Sequence, residues 1–163
     1  MSTSDSLPGN CRIVVDAMGG DHAPQNAVLG AMQALEAKNN FKLILVGDKK
    51  RILEIIHSNN YSEKDVEIHH TSEVIEMSDN PTNAIKKKTD SSIVVGAGLV
   101  KDKKADAFVS AGNTGAMMAA STLIIGRIPG VGRPTIGSFM PNESGVCTLF
   151  DIGASVDSKA RHL

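Results

Sequence analysis

Tryptophan is absent from this 163-residue sequence, and only four phenylalanines and one tyrosine are present. So few rings exclude a base-stacking platform for single-stranded nucleic acid and a ring-lined groove for peptides or sugars. An excess of either charge is also lacking. Seventeen basic and 18 acidic side chains leave a formal charge of -1, so electrostatics gives no basis for a nucleic-acid partner. Cysteine is scarce: Cys11 and Cys147 lie in the strand-like runs "CRIVV" and "GVCTLF", with no CxxC or Cys/His cluster. They read as buried free thiols in a reducing compartment, and no metal site is expected. His69 and His70 are adjacent in a strand-like run and so point to opposite faces, where they cannot share a metal. No long apolar run occurs either. The stretch around "AMMAASTLII" is too short to span a bilayer, and the opening "MSTSDSLPGN" has no apolar signal-peptide core. The expected location is cytoplasmic.

What is present is an alternation of strands and helices. Continuous apolar runs predict strands at 12–17, 41–47, 66–70 and 105–110. Apolar residues at helical spacing predict helices over 24–38, 49–60, 81–88, 91–103 and 112–126. Pro24 suits a first helical position, Asp48 suits a cap, and Asn80-Pro81 suits a helix start. Two further strands, "RPTIGSFMP" and "GVCTLFDIG", form an expected antiparallel pair joined by "NES". Apolar strands alternating with helices imply an α/β fold, a mostly parallel doubly wound sheet. Residues 1–10 are expected to be disordered and 11–163 to form the α/β domain.

In such a sheet, ligands bind outside the carboxyl ends of the strands. Two strand ends carry glycine-rich loops, "VVDAMGGDHAP" and "FVSAGNTGAMM". In the second, Ser110, Asn113 and Thr114 offer polar groups, while Gly112 and Gly115 remove Cβ atoms that would block an approaching anion. One reading is a phosphate cradle. The other is a tight strand-to-helix turn with Ser or Asn as the cap. The first loop adds Asp16, Gly19, Gly20, Asp21 and His22. Its acidic groups could accept a proton or orient a partner, and Asp21 could equally cap the next helix. Neither GxxxxGK[ST] nor GxGxxG is present, so no nucleotide fingerprint accompanies the anion reading. Lys86, Lys87 and Lys88 would ordinarily be solvated, but the helix start Asp90-Ser91-Ser92 follows them, so one lysine could turn toward an anion. Met117 and Met118 read as core residues.

Five motifs, "VDAMGGDHAP", "KKKTDSS", "SAGNTGAMMA", "PGVGRP" and "DIGASVD", occur in the order and approximate spacing found in PlsX. The sequence therefore resembles the PlsX family, the phosphate acyltransferases of bacterial phospholipid synthesis, over nearly everything after residue 11. The resemblance implies transfer of a fatty acyl group from acyl carrier protein to inorganic phosphate, with no metal and no nucleotide cofactor. It implies a fold similar to isocitrate dehydrogenases and phosphotransacetylases, a homodimer, and peripheral association with the inner face of the membrane. With the residue chemistry, it nominates Asp16, Asn113 and Lys88 for catalysis. Gly19, Gly20, Asp21, Ser91, Ser92, Ser110, Gly112, Thr114 and Gly115 would bind substrate or phosphate.

There are two departures from the family pattern. Ser155 stands where the family usually has Asn, and family members are roughly twice as long as this chain. The expectation is an N-terminal half that folds around residues 12–126, tends to dimerise or aggregate, binds phosphate weakly at best, and alone makes negligible acyl phosphate. Alternatives are a coenzyme A-dependent, phosphotransacetylase-like acyltransferase or a non-catalytic anion-binding or dimerisation fragment. A dehydrogenase ranks last, because no dinucleotide fingerprint appears.

Overall fold

The computed structural model describes residues 11–151 except 39 and 133. The expectations for residues 1–10, for Ser155 and for the "DIGASVD" motif beyond Asp151 lie outside the described residues. The chain divides into two compact units, with the boundary between Ile125 and Gly126.

The first unit is the α/β part. Its strands are β1 (Cys11–Asp16), β2 (Phe41–Gly47), β3 (Val66–His70) and β4 (Ala107–Val109). They pair in parallel in the order β3-β2-β1-β4. Four helices connect them, α1 (Gln25–Ala37), α2 (Lys49–Ser58), α3 (Pro81–Lys87) and α4 (Ser92–Lys101), and α5 (Thr114–Ala120) follows β4. β2 is buried from Leu43 to Gly47, as an apolar run covered on both faces should be. Its side chains alternate between two cores. Leu43 and Leu45 pack with Val28 and Met32 of α1 and with Ile52 and Ile56 of α2. Ile44 and Val46 pack with Val14 and with Leu99 of α4. This is the doubly wound α/β arrangement that the sequence predicts.

Local chemistry explains most helix starts. Asp48 accepts hydrogen bonds from the amides of Lys50 and Arg51, and Asn80 accepts one from Asn83, with Pro81 at the first helical position. Four details differ from expectation. Pro24 precedes α1 as its cap residue rather than opening it, and Asp21 caps nothing. The last helix is shorter than predicted: α5 ends at Ala120 and continues as a π-turn over Ser121–Ile125. A short 3₁₀ turn, Glu63–Asp65, precedes β3.

The second unit contains the hairpin of β5 (Gly137–Asn142) and β6 (Gly145–Phe150), antiparallel and turning at Glu143-Ser144. Asn142 Oδ1 closes the turn by accepting from Ser144 N. The expectation of two buried thiols is corrected here. Cys147 is exposed and Cys11 only half-buried. The apolar run around Cys147 reads like a buried strand. Among the described residues, however, β6 pairs only with β5 and is exposed along its length.

Candidate functional site

The strand order has a functional consequence. From β1 the chain moves outward through β2 and β3, then returns to the other side of β1 as β4. Between β1 and β4 the winding reverses, and this switch point is where open parallel sheets form a crevice at the strand carboxyl ends. Val15 of β1 lies beside Val109 of β4. The loops that leave these strands are the two glycine-rich ones, so sequence motifs 90 residues apart meet in space.

Asp16 ends β1 and is 1% exposed. Its Oδ1 accepts from Met18 N at 2.9 Å, and its Oδ2 accepts from Ser110 Oγ at 2.7 Å. Ser110 Oγ in turn accepts from Gly112 N at 3.0 Å. The proton of Ser110 is therefore directed at Asp16. The pair ties the two loops together, and neither group is a free donor for an anion. In this arrangement the Ser110 proton is committed to Asp16 rather than to an anion. Gly19 and Gly112 permit this contact. A Cβ on Gly19 would lie 2.5 Å from Asp16 Oδ2 and 2.7 Å from Gly112 N. Gly20 has φ +105°, a conformation that glycine adopts readily.

Asn113 and Lys88 also differ from expectation. Asn113 is buried, and its Oδ1 caps α5 by accepting from Ala116 N at 3.0 Å. Its Nδ2 donates toward the carbonyls of Glu76, Met77 and Asp79 at 3.1–3.3 Å. Lys88 Nζ donates to Val74 O at 2.7 Å and pairs with Asp79 at 2.6 Å. Both side chains hold the 71–80 segment in place. Ser91 is fully buried, with its hydroxyl donating to Lys88 O, and Ser92 is buried at the start of α4. Burial of both removes them from the cleft. Gly115 is small for a packing reason, since a Cβ there would lie 2.6 Å from Pro81 Cγ of α3.

Of the nominated residues, Gly19, Gly20 and Asp21 line a cleft of about 430 Å³, and Thr114 is exposed at the start of α5. The amides of Thr114 and Gly115 have no hydrogen-bond partner among the described residues. The cleft also takes His22, Asn26 and Met77. His22 stood in the sequence motif, but nothing in its spacing distinguished it from a surface histidine. Met77 had no sequence signal at all. It reaches the cleft because Asn113 and Lys88 fold the 71–80 segment back.

The 71–80 segment and the sheet edge are held by carboxylates that respond to acid. A hydrogen bond from Lys88, then one from the Glu76 backbone, keeps the Asp79 carboxyl below the ordinary carboxylate range. Hydrogen bonds from the Ser72 hydroxyl and backbone do the same for Asp90, and those from the Arg12 side chain and backbone for Asp106. A depressed carboxylate pKa stabilises the fold above its unfolded value, and that contribution is lost as pH falls through the folded value. Thermal melts should therefore show stability falling as pH drops below about 4. Asp90→Asn should flatten that slope; an unchanged slope would assign the acid sensitivity elsewhere.

A parallel sheet with glycine loops at its switch point defines a class of α/β protein, and solved structures agree. The crystal structure of a phosphotransacetylase from Streptococcus pyogenes superposes with TM-score 0.62 at 20% identity, covering 85% of this chain and 45% of that one. That likeness shows the fold. The family is shown by sequence. The chain belongs to the fatty acid synthesis protein family, whose model matches residues 11–163. Curated relatives bear the name phosphate acyltransferase. The one from Acetivibrio thermocellus is 46% identical over 147 residues, covering 90% of this chain and 43% of its own length. The one from Chlorobaculum parvum is 48% identical over 153 residues, covering 93% and 45%. This chain thus spans less than half the length of the curated relatives it matches.

Proposed function

We propose that the chain forms the phosphate-holding part of an acyltransferase that moves a fatty acyl group from acyl carrier protein to inorganic phosphate. The observation that carries this reading is the meeting of two glycine-rich loops at the switch point of a chain whose relatives are named phosphate acyltransferases. A phosphate oxygen attacks the thioester carbonyl, the tetrahedral intermediate collapses, and the carrier thiolate leaves. The products are an acyl phosphate and free carrier protein. The protein must hold phosphate near the carbonyl and stabilise the developing negative charge. The Thr114 hydroxyl and the amides of Thr114 and Gly115 supply uncommitted donors. Gly19, Gly20, His22 and Asn26 line the cleft. Asp16 and Ser110 fix the distance between the loops. No helix among the described residues is long and apolar enough to cross a membrane. The family resemblance alone supports the further reading of a cytoplasmic homodimer, peripheral to the membrane's inner face.

The test joins this chain to the second half of one of the relatives and measures acyl phosphate formation. Thr114→Ala and His22→Ala should each raise the phosphate requirement roughly tenfold to a hundredfold, the effect of losing a hydrogen bond to a charged group worth about 1.5–3 kcal/mol. Wild-type phosphate dependence in both variants would place the phosphate elsewhere.

A further inference from the structure

We infer that Lys88 is a positioning residue of the phosphate cleft: it acts through Asp79 to fix the turn that carries Met77 and does not itself touch the anion. This rests on the phosphate reading above. The turn is closed on itself. Asp79 N donates to Glu76 O at 3.1 Å, and Glu76 N donates back to Asp79 Oδ2 at 2.8 Å. Lys88 Nζ reaches the same Oδ2 at 2.6 Å and Val74 O at 2.7 Å. Met77 lies inside this closed turn. Among the described residues that line the cleft, it is the one long apolar side chain. The path from the ammonium to the cleft therefore runs through the Asp79 carboxylate and the Glu76 amide to Met77.

The rest of the "KKKTDSS" motif serves the same segment. Asp90 Oδ2 accepts from Ser72 N at 2.8 Å and from Ser72 Oγ at 2.6 Å, and Asp90 N donates to Glu73 Oε2 at 2.9 Å. Ser91 pairs with Glu73 in a parallel bridge. Between these ties and the turn, Ile75 is buried with Ile85 and Ile93. The segment is thus anchored at its start, its middle and its end. An ammonium has three N–H donors, and two of these already face a carbonyl and a carboxylate. A phosphate would have to draw Lys88 away from a carboxylate in direct contact and leave that charge without its partner. Holding Met77 still has its own effect on an anion. An apolar wall keeps water from the donors around the anion, and their attraction is stronger where water is excluded.

The experiment titrates this chain with inorganic phosphate, followed by amide NMR, and measures hydrogen exchange on the same samples. The variants are Asp79→Asn, Lys88→Met, Met77→Ala and the double variant Lys88→Met with Met77→Ala. The sign of the Asp79→Asn effect separates the two roles. A ligand lysine would be freed by loss of its carboxylate partner, and phosphate would bind more tightly. A positioning lysine loses its hold on the turn, so phosphate should bind roughly three- to thirtyfold more weakly in both Asp79→Asn and Lys88→Met. Protection of the Glu76 and Asp79 amides should fall in both. Met77→Ala should weaken phosphate binding similarly with that protection intact, and adding Lys88→Met should weaken it no further. Tighter phosphate binding in Asp79→Asn overturns the inference. So does a full additional loss in the double variant, or wild-type phosphate affinity in a Lys88→Met sample that has lost only stability. No phosphate binding by the wild type, with protection still lost in Asp79→Asn and Lys88→Met, refutes the phosphate reading and leaves the anchor. Unchanged protection in both variants refutes the anchor whatever phosphate does.

Discussion

Gly19→Val will unfold the loop contact on which the site depends. The first atom of the new side chain would lie 2.5 Å from the buried Asp16 carboxylate and 2.7 Å from the backbone nitrogen of Gly112. Neither neighbour can yield cheaply. Asp16 is held by Met18 N and Ser110 Oγ, and Gly112 belongs to the backbone of the opposing loop. Overpacking at a well-packed contact costs typically 1–3 kcal/mol, and we expect about 3 kcal/mol or more here because the loops themselves must part. In a domain of this size that lowers the melting temperature by roughly 10 °C. Phosphate binding should be lost even below the melt. Gly30→Ala is the control. It lies within α1 facing open space and should stabilise by about 0.5–1 kcal/mol through helix propensity. Equal melting temperatures for Gly19→Val and the wild type would show that the loops do not meet as described.

Asn113→Ala is expected to have the second-largest effect. It removes the cap on α5, worth about 1 kcal/mol, and the donor shared by the carbonyls of Glu76, Met77 and Asp79. The Met77 and Asp79 carbonyls lose this donor at a half-open position, and Glu76 O keeps the Asp79 amide, so the added cost is about 1 kcal/mol. Asn113→Asp separates the two roles. It keeps the capping oxygen but turns a second oxygen toward the three carbonyls. Hydrogen exchange should then show protection retained in α5 and lost across residues 71–80. A variant that lost phosphate affinity while keeping wild-type stability and wild-type protection of 71–80 would restore Asn113 as a ligand.

These two residues show what the sequence makes legible. Apolar runs and helix periodicity depend on local pattern, so the strands and most helices of the first unit can be read from the chain. The two loops could be picked out because glycine clusters at strand ends are locally visible. Their adjacency depends on the strand order, which no local pattern encodes. The role of Asn113 was open in the sequence, since a cap and an anion ligand call for the same residue type. In the structure its side chain caps α5 and contacts residues 76–79, a placement that depends on the tertiary fold. Lys88 looked available because three consecutive lysines spread around a helix, and only the fold of the 71–80 segment brings Asp79 to it. Gly115 was read as an opening for an anion, whereas the packing of α3 on α5 requires it. Cys147 was misplaced because an apolar run signals a strand but not the number of layers covering it.

The central claim is that phosphate binds between the β1 and β4 loops. The measurement that tests it most directly is a titration of the isotope-labelled chain with inorganic phosphate, followed by amide NMR. The account predicts saturable shifts at Gly19, Gly20, Asp21, His22, Ala111, Thr114 and Gly115, with the amides of β2 and β3 unmoved. Saturable shifts centred on any other part of the chain, or none at millimolar phosphate in a folded sample, would contradict it.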